Sequence, residues 1–178
     1  MRCLLFSLCI LIASLNSVAQ KYSLSQGVIT FFSEATLEDI KADNRKVSSL
    51  FDTSTGDIAF SVPISEFQFD KKLMQQHFNE KYMESDKYPR ATFSGKILGF
   101  SAESSSTQQV KAQGKLTIHG VTNEINVPGT IIFNSSGLSM ESKFIVRLED
   151  YKIKIPQLMW QNIAEQVDVT VDLHYIKK

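Results

Sequence analysis

The chain is poor in cysteine: Cys3 and Cys9 are the only two among its 178 residues. Both lie near the N-terminus, so the rest of the chain carries no thiol. This absence excludes a disulfide framework, a thiolate metal site and a cysteine nucleophile from that part. A hydrophobic core must therefore stabilise the fold unaided. The 159 residues after position 19 (178 minus 19) suffice for one domain, since chains of about 150 residues bury roughly 68–70% of their unfolded surface.

The chain also lacks an excess of charge of either sign, because 19 Lys and Arg residues balance 19 Asp and Glu residues. No basic run interrupts this balance. Nucleic acids and anionic membrane surfaces attract proteins through basic patches, so neither is expected as a partner. No apolar run after the N-terminus approaches the about 20 residues that span a bilayer, and no transmembrane segment is expected in the mature chain.

The N-terminus has the order of a secretory signal peptide. Arg2 supplies a positive charge, residues 4–13 form a short apolar run, and Ser17-Val18-Ala19 offers a small-residue cleavage site before Gln20. This order predicts a signal peptide at 1–19, a mature domain at 20–178 and export of the protein. The alternative is a buried N-terminal strand or helix.

From Tyr22 onward, apolar residues mostly recur at every second position, which is the pattern of half-buried strands. The last segment is the clearest, and it predicts Val169 and Val171 facing inward and Asp172 facing outward. The predicted strands are 22–32, 45–52, 56–69, 90–100, 108–119, 122–134, 138–149 and 165–177. Eight long antiparallel strands favour an all-β, closed up-and-down barrel, with a two-sheet sandwich as the alternative.

One segment has a helical period instead. Residues 71–85 place Leu73, Met74, His77, Phe78 and Tyr82 on one apolar face, which should pack against the barrel. Asp70 is the expected N-cap. A second, weaker helical stretch is predicted at 157–165.

The sequence offers no motif that predicts catalysis. No catalytic residue, metal ligand or cofactor is predicted. The histidines His77, His119 and His174 form no closely spaced ligand pair, whereas a zinc site needs at least three converging protein ligands. Asp168 and Asp172 share a strand face but carry no further sign of a carboxylate pair. The chain has no Gly-x-Ser-x-Gly elbow and no phosphate-binding glycine loop. An enzyme is therefore disfavoured, although acid–base sites assembled in space need no local motif.

Three segments carry a recognisable series of residues. They are Leu73-Met74-x-x-His77-Phe78-x-x-x-Tyr82-Met83-x-Ser85-x-x-Tyr88-Pro89-x-Ala91-x-Phe93, Gly114-x-Leu116-Thr117-Ile118-His119-Gly120-Val121-Thr122 and Phe144-x-Val146-x-Leu148-x-Asp150-Tyr151-x-Ile153. In this order and spacing they resemble the YceI-like family over most of the mature chain. One departure is that Leu73-Met74 stands where the family usually has an Arg-Asp pair, which leaves the head-group preference of any ligand open.

The resemblance implies a bacterial, periplasmic or secreted protein with a lipocalin-like extended barrel. Some relatives bind polyisoprenoid chains in a long internal tunnel, and no enzymatic activity is generally assigned to the family. The resemblance thus implies a carrier or buffer of an apolar small molecule, an isoprenoid or another long-chain lipid. The alternatives are a structural or stress-response envelope barrel without a specific small ligand, and a small barrel enzyme with a histidine or carboxylate near its mouth. Ligand identity, direction of transfer and oligomeric state stay open.

An eight-stranded barrel either is filled by its own side chains or holds one small ligand. If it holds a ligand, the inward-facing strand residues and the apolar helix face should form its wall, with the helix at the mouth. The predicted ligand-binding residues are Phe60, Val62, Ile64, Met74, Phe78, Phe93, Ile97, Leu116, Ile118 and Phe144. The alternative is that these residues are ordinary core.

Overall fold

The computed structural model describes residues 21–34, 39–155 and 164–177. The predicted signal peptide at 1–19 and nearly all of the second helical stretch at 157–165 lie outside these residues. Within them the chain forms ten strands and one α-helix, α1 (Lys72–His77), which continues into a π-helical turn (Phe78–Tyr82). The strands are β1 (Lys21–Ser33), β2 (Ile40–Asn44), β3 (Ser48–Asp52), β4 (Asp57–Pro63), β5 (Gln68–Phe69), β6 (Arg90–Leu98), β7 (Gln108–Ile118), β8 (Val121–Asn134), β9 (Gly137–Arg147) and β10 (Gln166–Lys177).

The strands close into an antiparallel barrel. The ring runs β1-β10-β9-β8-β7-β6-β4-β3 and returns to β1. Strands β2 and β3 both pair with β1, so together they form one bent strand of the ring. Counted in this way the barrel has eight strands, and the predicted all-β, eight-stranded lipocalin-like barrel is confirmed. Six of the eight predicted strands agree with the observed bounds to within two residues.

The prediction of a continuous strand at 45–52 is wrong. The chain is already extended in β2, bends at 45–47 and resumes in β3. The bend is held by Asn44, which is fully buried: its side-chain amide donates to the carbonyl oxygen of Pro63 at 2.7 Å, and its side-chain oxygen accepts from the backbone N–H of Lys46 at 2.9 Å. Because a polar residue occupies this buried position, it interrupts the alternation of apolar residues at every second position. The sequence pattern therefore did not predict β2.

The prediction of a single strand at 56–69 is also wrong. Strand β4 ends at Pro63, a 3₁₀ turn (Ile64–Glu66) follows, and β5 then pairs with β2 outside the ring. Proline has no backbone N–H with which to extend a strand ladder. Ile64 and Phe67 are nevertheless buried, so the apolar pattern continued through the turn and concealed it.

The helix is shorter and differently built than predicted. Its N-cap residue is Lys71, which is extended and makes no side-chain capping bond, so Asp70 is not the N-cap. Leu73 is 62% exposed and does not share the packing face. Successive residues of an α-helix are rotated by about 100°, and Met74 rather than Leu73 points to the barrel. None of the helices in the three described ranges has the length and apolar character to cross a membrane.

The interior contains two clusters of buried side chains, one toward each end of the barrel. One end is closed by large residues, among them Tyr22, Phe51, Phe133 and Tyr175, each no more than 8% exposed. The other cluster, which includes Met83, lies beside the helix. Alternation along β10 is as predicted, with Val169 and Val171 inside and the Asp172 side chain 47% exposed outside.

The ladder between β8 and β9 covers only one half of the barrel. It pairs residues 130–134 with residues 137–141, and beyond this point β8 pairs only with β7 and β9 only with β10. Pro128 lies just beyond the last pair, where a residue without an N–H costs no ladder bond. A 3₁₀ turn (Glu149–Tyr151) packs against both strands, and the Asn123 amide donates to the Asp150 carbonyl oxygen at 2.8 Å. The helix end of the barrel is therefore walled partly by a turn instead of by a strand pair.

Candidate ligand-binding cavity

A cavity of about 490 Å³ lies inside the barrel between its two buried clusters. Its size falls within the range of about 300–1,000 Å³ that is usual for small-molecule sites. Side chains reach it from the inner faces of the strands, from the helix and from the π-helical turn. The barrel interior is thus not filled by its own side chains.

The ten residues predicted from the sequence all line this cavity. They are Phe60, Val62, Ile64, Met74, Phe78, Phe93, Ile97, Leu116, Ile118 and Phe144. Strand alternation explains seven of them, because residues two apart on a strand point to the same side, whereas Ile64 lies in the 3₁₀ turn after β4. That they contact a ligand stays a prediction.

Aromatic rings gather where the helix meets the barrel. Phe78 stacks on Phe31 with ring centroids 5.3 Å apart and an interplanar angle of 17°. Phe67 and Phe69 pack around the same ring at 5.6 and 5.0 Å. All four rings line the cavity and form its wall at this end. Only Phe78 among them was predicted; the alternation of Ile29, Phe31 and Ser33 in β1 was a signal that could have found Phe31.

Further wall residues come from β8, β9 and β10, where the prediction had included only Phe144. They include Ile125, Val127, Val146, Val167, Val169 and Val171. Their inward orientation follows from the same alternation, but the sequence does not say that the barrel is open across its full width. Gly129 also faces this side, where a Cβ atom would approach the carbonyl oxygen of Glu141 to 2.7 Å.

Few polar side chains point into the cavity. The hydroxyl of Ser142 donates to the carbonyl oxygen of Pro128 at 2.6 Å, and the hydroxyl oxygen of Ser33 accepts from the backbone N–H of Ala164 at 3.1 Å. His77 and Tyr82 line the cavity from the helix and the π-helical turn, and neither side chain makes a hydrogen bond within the part of the chain that the structure describes. Burial raises the pKa of Tyr82.

His119 connects the segments around the helix end of the barrel. Its Nε2 atom lies 3.0 Å from a carboxylate oxygen of Glu84, and its Nδ1 atom lies 3.2 Å from the backbone oxygen of Tyr151. The Tyr88 ring packs edge-on against the imidazole at 4.5 Å. His119 lies in the turn between β7 and β8, with a positive φ of 51°. It joins this turn to the segment after the helix and to the 3₁₀ turn.

No nucleophile–base pair is assembled among the described residues that line the cavity. On the outer face of the barrel, Ser139 Oγ lies 2.8 Å from His174 Nδ1, and a carboxylate oxygen of Asp172 lies 3.2 Å from His174 Nε2, with both the His174 and Asp172 side chains about half exposed. No group of three or more His, Cys, Asp or Glu side chains is placed to hold a metal ion among residues 21–34, 39–155 and 164–177. His77 faces the cavity, where the barrel-enzyme alternative would need it. Within the same ranges, no carboxylate orients its ring and no hydroxyl hydrogen-bonds to it. A histidine without such partners lacks the arrangement that activates a nucleophile.

Several solved structures share this architecture. A polyisoprenoid-binding domain from Saccharophagus degradans, implicated in plant cell wall breakdown, matches with a TM-score of 0.76 and 16% identity, covering 88% of this chain and 98% of that one. BcnA from Burkholderia cenocepacia matches with a TM-score of 0.71 and 18% identity, over 83% and 95%. The YceI protein of Campylobacter jejuni matches with a TM-score of 0.64 and 16% identity, over 82% and 88%. At these identities the likeness shows the fold.

The sequence itself decides the family. None of the curated proteins matches the chain. The sequence profile of the YceI-like domain, however, matches residues 15–175, which is nearly the whole chain. The three segments that resemble the family all fall within this range. The chain therefore belongs to the YceI-like family.

Proposed function

We propose that this protein is an exported binding protein that carries or buffers one long-chain apolar ligand, such as a polyisoprenoid or another lipid, in the periplasm. The observation that carries the proposal is the apolar cavity of about 490 Å³ inside the barrel. Export rests on the signal-peptide pattern of residues 1–19. The ligand class rests on the chemistry of the wall and on the polyisoprenoid-binding relative.

The wall suits a ligand that offers little besides apolar surface. Burial of such surface contributes about 25 cal/mol per Å², or about 0.8 kcal/mol for each methylene group. Phe60, Phe78 and Phe144 supply broad apolar area, and the unbranched side chain of Met74 adapts to the shape beside it. Affinity should therefore grow about fourfold with each added methylene group until the chain fills the cavity.

Native mass spectrometry of protein purified from the envelope of its host tests this function. We expect the protein to retain one lipid molecule. A matched pair of variants shows where that lipid lies. Ala112 faces the cavity and Ala59 faces outward, so Ala112→Phe should fill the site whereas Ala59→Phe should leave it open.

Retained lipid in the wild type and Ala59→Phe but not in Ala112→Phe supports the proposal. A second filling variant, Ala91→Phe, guards against an effect on folding alone, because Ala91 lines the cavity from a different strand. Thermal unfolding of each variant checks that it is folded. Protein that emerges from the envelope without lipid, and that binds no long-chain lipid afterwards, would favour the structural barrel without a small ligand.

A further inference from the structure

The hydrogen-bonding groups of the cavity are concentrated in one place. Of the polar side chains that point inward, Ser33 and Ser142 already bond to the backbone. Thr92, Thr130 and Glu141 also border the cavity, but each lies between two inward-facing neighbours, so its own side chain points outward. Among the described residues that line the cavity, the side chains of His77 and Tyr82 are left without a hydrogen-bond partner in the protein.

The π-helical turn is what brings these two residues together. In an α-helix, residues three or four apart share a face. Here the N–H of Met83 donates to the carbonyl oxygen of Phe78 at 2.8 Å, a bond between residues five apart. Such a turn aligns positions five apart. Two pairs of residues are therefore placed on the cavity face, His77 with Tyr82 and Phe78 with Met83. A continuous α-helix would turn one member of each pair away.

The charges around the cavity limit what this pair can bind. Among the described residues that border it, none is Lys, Arg or Asp, and the Glu141 side chain is exposed on the outer face. A charged head group drawn inside would lack an opposite charge, and burial of an unpaired charge is strongly unfavourable. Burial also raises the pKa of Tyr82, so its hydroxyl keeps its proton and can donate.

From this arrangement we infer that His77 and Tyr82 form a head-group subsite for an uncharged, hydrogen-bond-accepting group, such as a carbonyl, at one end of the ligand's apolar chain. The inference rests on the proposed function, because it requires that the cavity bind a long chain. It adds that the preferred ligand is a neutral single-chain lipid, not a lipid phosphate or a quaternary amine. The aromatic cluster of Phe31, Phe67, Phe69 and Phe78 would surround the first carbons of the chain.

Three probes with the same chain and different head groups test the subsite. Hexadecanamide carries a neutral carbonyl, hexadecyl phosphate an anion and hexadecyltrimethylammonium a cation. Delipidated full-length mature protein is titrated with each probe below its micelle concentration, by displacement of a fluorescent fatty-chain reporter. We expect hexadecanamide to bind about tenfold or more tightly than either charged probe, since those must leave their head groups in water.

Variants then assign the preference to the two side chains. Tyr82→Phe removes only a hydroxyl, and we expect it to weaken hexadecanamide binding about five- to tenfold while changing the affinity of hexadecyl phosphate by less than about twofold. His77→Phe keeps an aromatic ring and should act in the same direction. Tyr88→Phe is the matched control, because Tyr88 lies outside the cavity and its variant should bind all three probes as the wild type does.

The outcomes separate the two proposals. If none of the probes displaces the reporter and the reporter itself does not bind, the proposed function fails. If the probes bind with equal affinity, or if Tyr82→Phe and His77→Phe weaken the amide and the phosphate alike, chain binding stands and the head-group subsite is refuted. Selective loss of hexadecanamide binding in both variants, with Tyr88→Phe unchanged, supports the subsite.

Discussion

The replacement of two buried phenylalanines by alanine distinguishes a ligand cavity from an ordinary core. Phe51 is 1% exposed and lies in the closed end of the barrel, where Phe100 packs on it at 5.5 Å. Phe93 is 6% exposed and contacts Phe60 at 5.7 Å, but it also faces the cavity. The two residues are alike in size and burial and differ in whether one side of the ring meets protein or empty space.

This difference sets the expected magnitudes. A phenylalanine enclosed on all sides loses about 3–5 kcal/mol of unfolding free energy when cut to alanine. The Phe93 ring makes fewer dispersion contacts in the ligand-free protein, because its cavity side has no partner atoms. We therefore expect Phe51→Ala to cost about 4 kcal/mol and Phe93→Ala about 2 kcal/mol in delipidated protein.

Urea titration of the delipidated variants measures these losses. With a denaturant slope of about 2 kcal/mol/M, the expected difference of about 2 kcal/mol separates the two midpoints by roughly 1 M. Native mass spectrometry of protein from the envelope supplies the second measurement. Lipid retention should fall in Phe93→Ala and persist in Phe51→Ala. Equal losses of stability together with unchanged lipid content in Phe93→Ala would refute the assignment of this wall to a ligand.

Three further predictions concern processing, the last strand and alkaline pH. Intact-mass measurement of exported protein should give a chain that begins at Gln20, and an uncleaved cytoplasmic chain would contradict export. Val171→Asp should destabilise by several kcal/mol in a denaturant titration because it buries an unpaired charge, whereas Asp172→Val should change stability little; equal effects would mean the wrong face. Burial raises the pKa of Tyr175, whose hydroxyl bonds to Ser49 at 2.6 Å. Just above pH 10 the Tyr175 hydroxyl therefore loses its proton in the unfolded protein but keeps it in the folded protein. The free energy of unfolding should then fall by up to about 1.4 kcal/mol per pH unit in this range, and Tyr175→Phe should make the fall less steep.

Local patterns were sufficient to predict most of the barrel. A strand shows a period of two wherever one face is buried and the other is wet, so the orientation of Val169 and Val171 could be predicted from β10 alone. The break between the predicted strands 108–119 and 122–134 falls at the observed turn of His119 and Gly120, both of which have a positive φ. The motif around His77 and Phe78 indicated the family before any architecture was known, and the profile match bears it out.

Departures from regular structure depended on partners distant in sequence. The bend after β2 exists because Asn44 finds the carbonyl oxygen of Pro63, 19 residues away. The ladder between β8 and β9 stops where the turn that includes Tyr151 packs between them, and His119 and Asn123 hold that turn. No window of adjacent residues contains these contacts, so periodicity could not predict them.

The cavity itself belongs to the tertiary structure. The sequence alone predicted ten residues of its wall, but an inward-facing Phe93 or Leu116 looks the same in a filled barrel and in a hollow one. The cavity volume is the small difference between two large volumes: the volume that the closed strands enclose and the summed volume of the side chains inside. The π-helical turn that brings Tyr82 onto the same face as His77 is likewise a matter of one hydrogen-bond register, from Met83 to Phe78. The cavity volume and the π-helical hydrogen bond both depend on how the strands and the helix pack against one another in the folded protein. The order of residues along the chain does not show this packing directly.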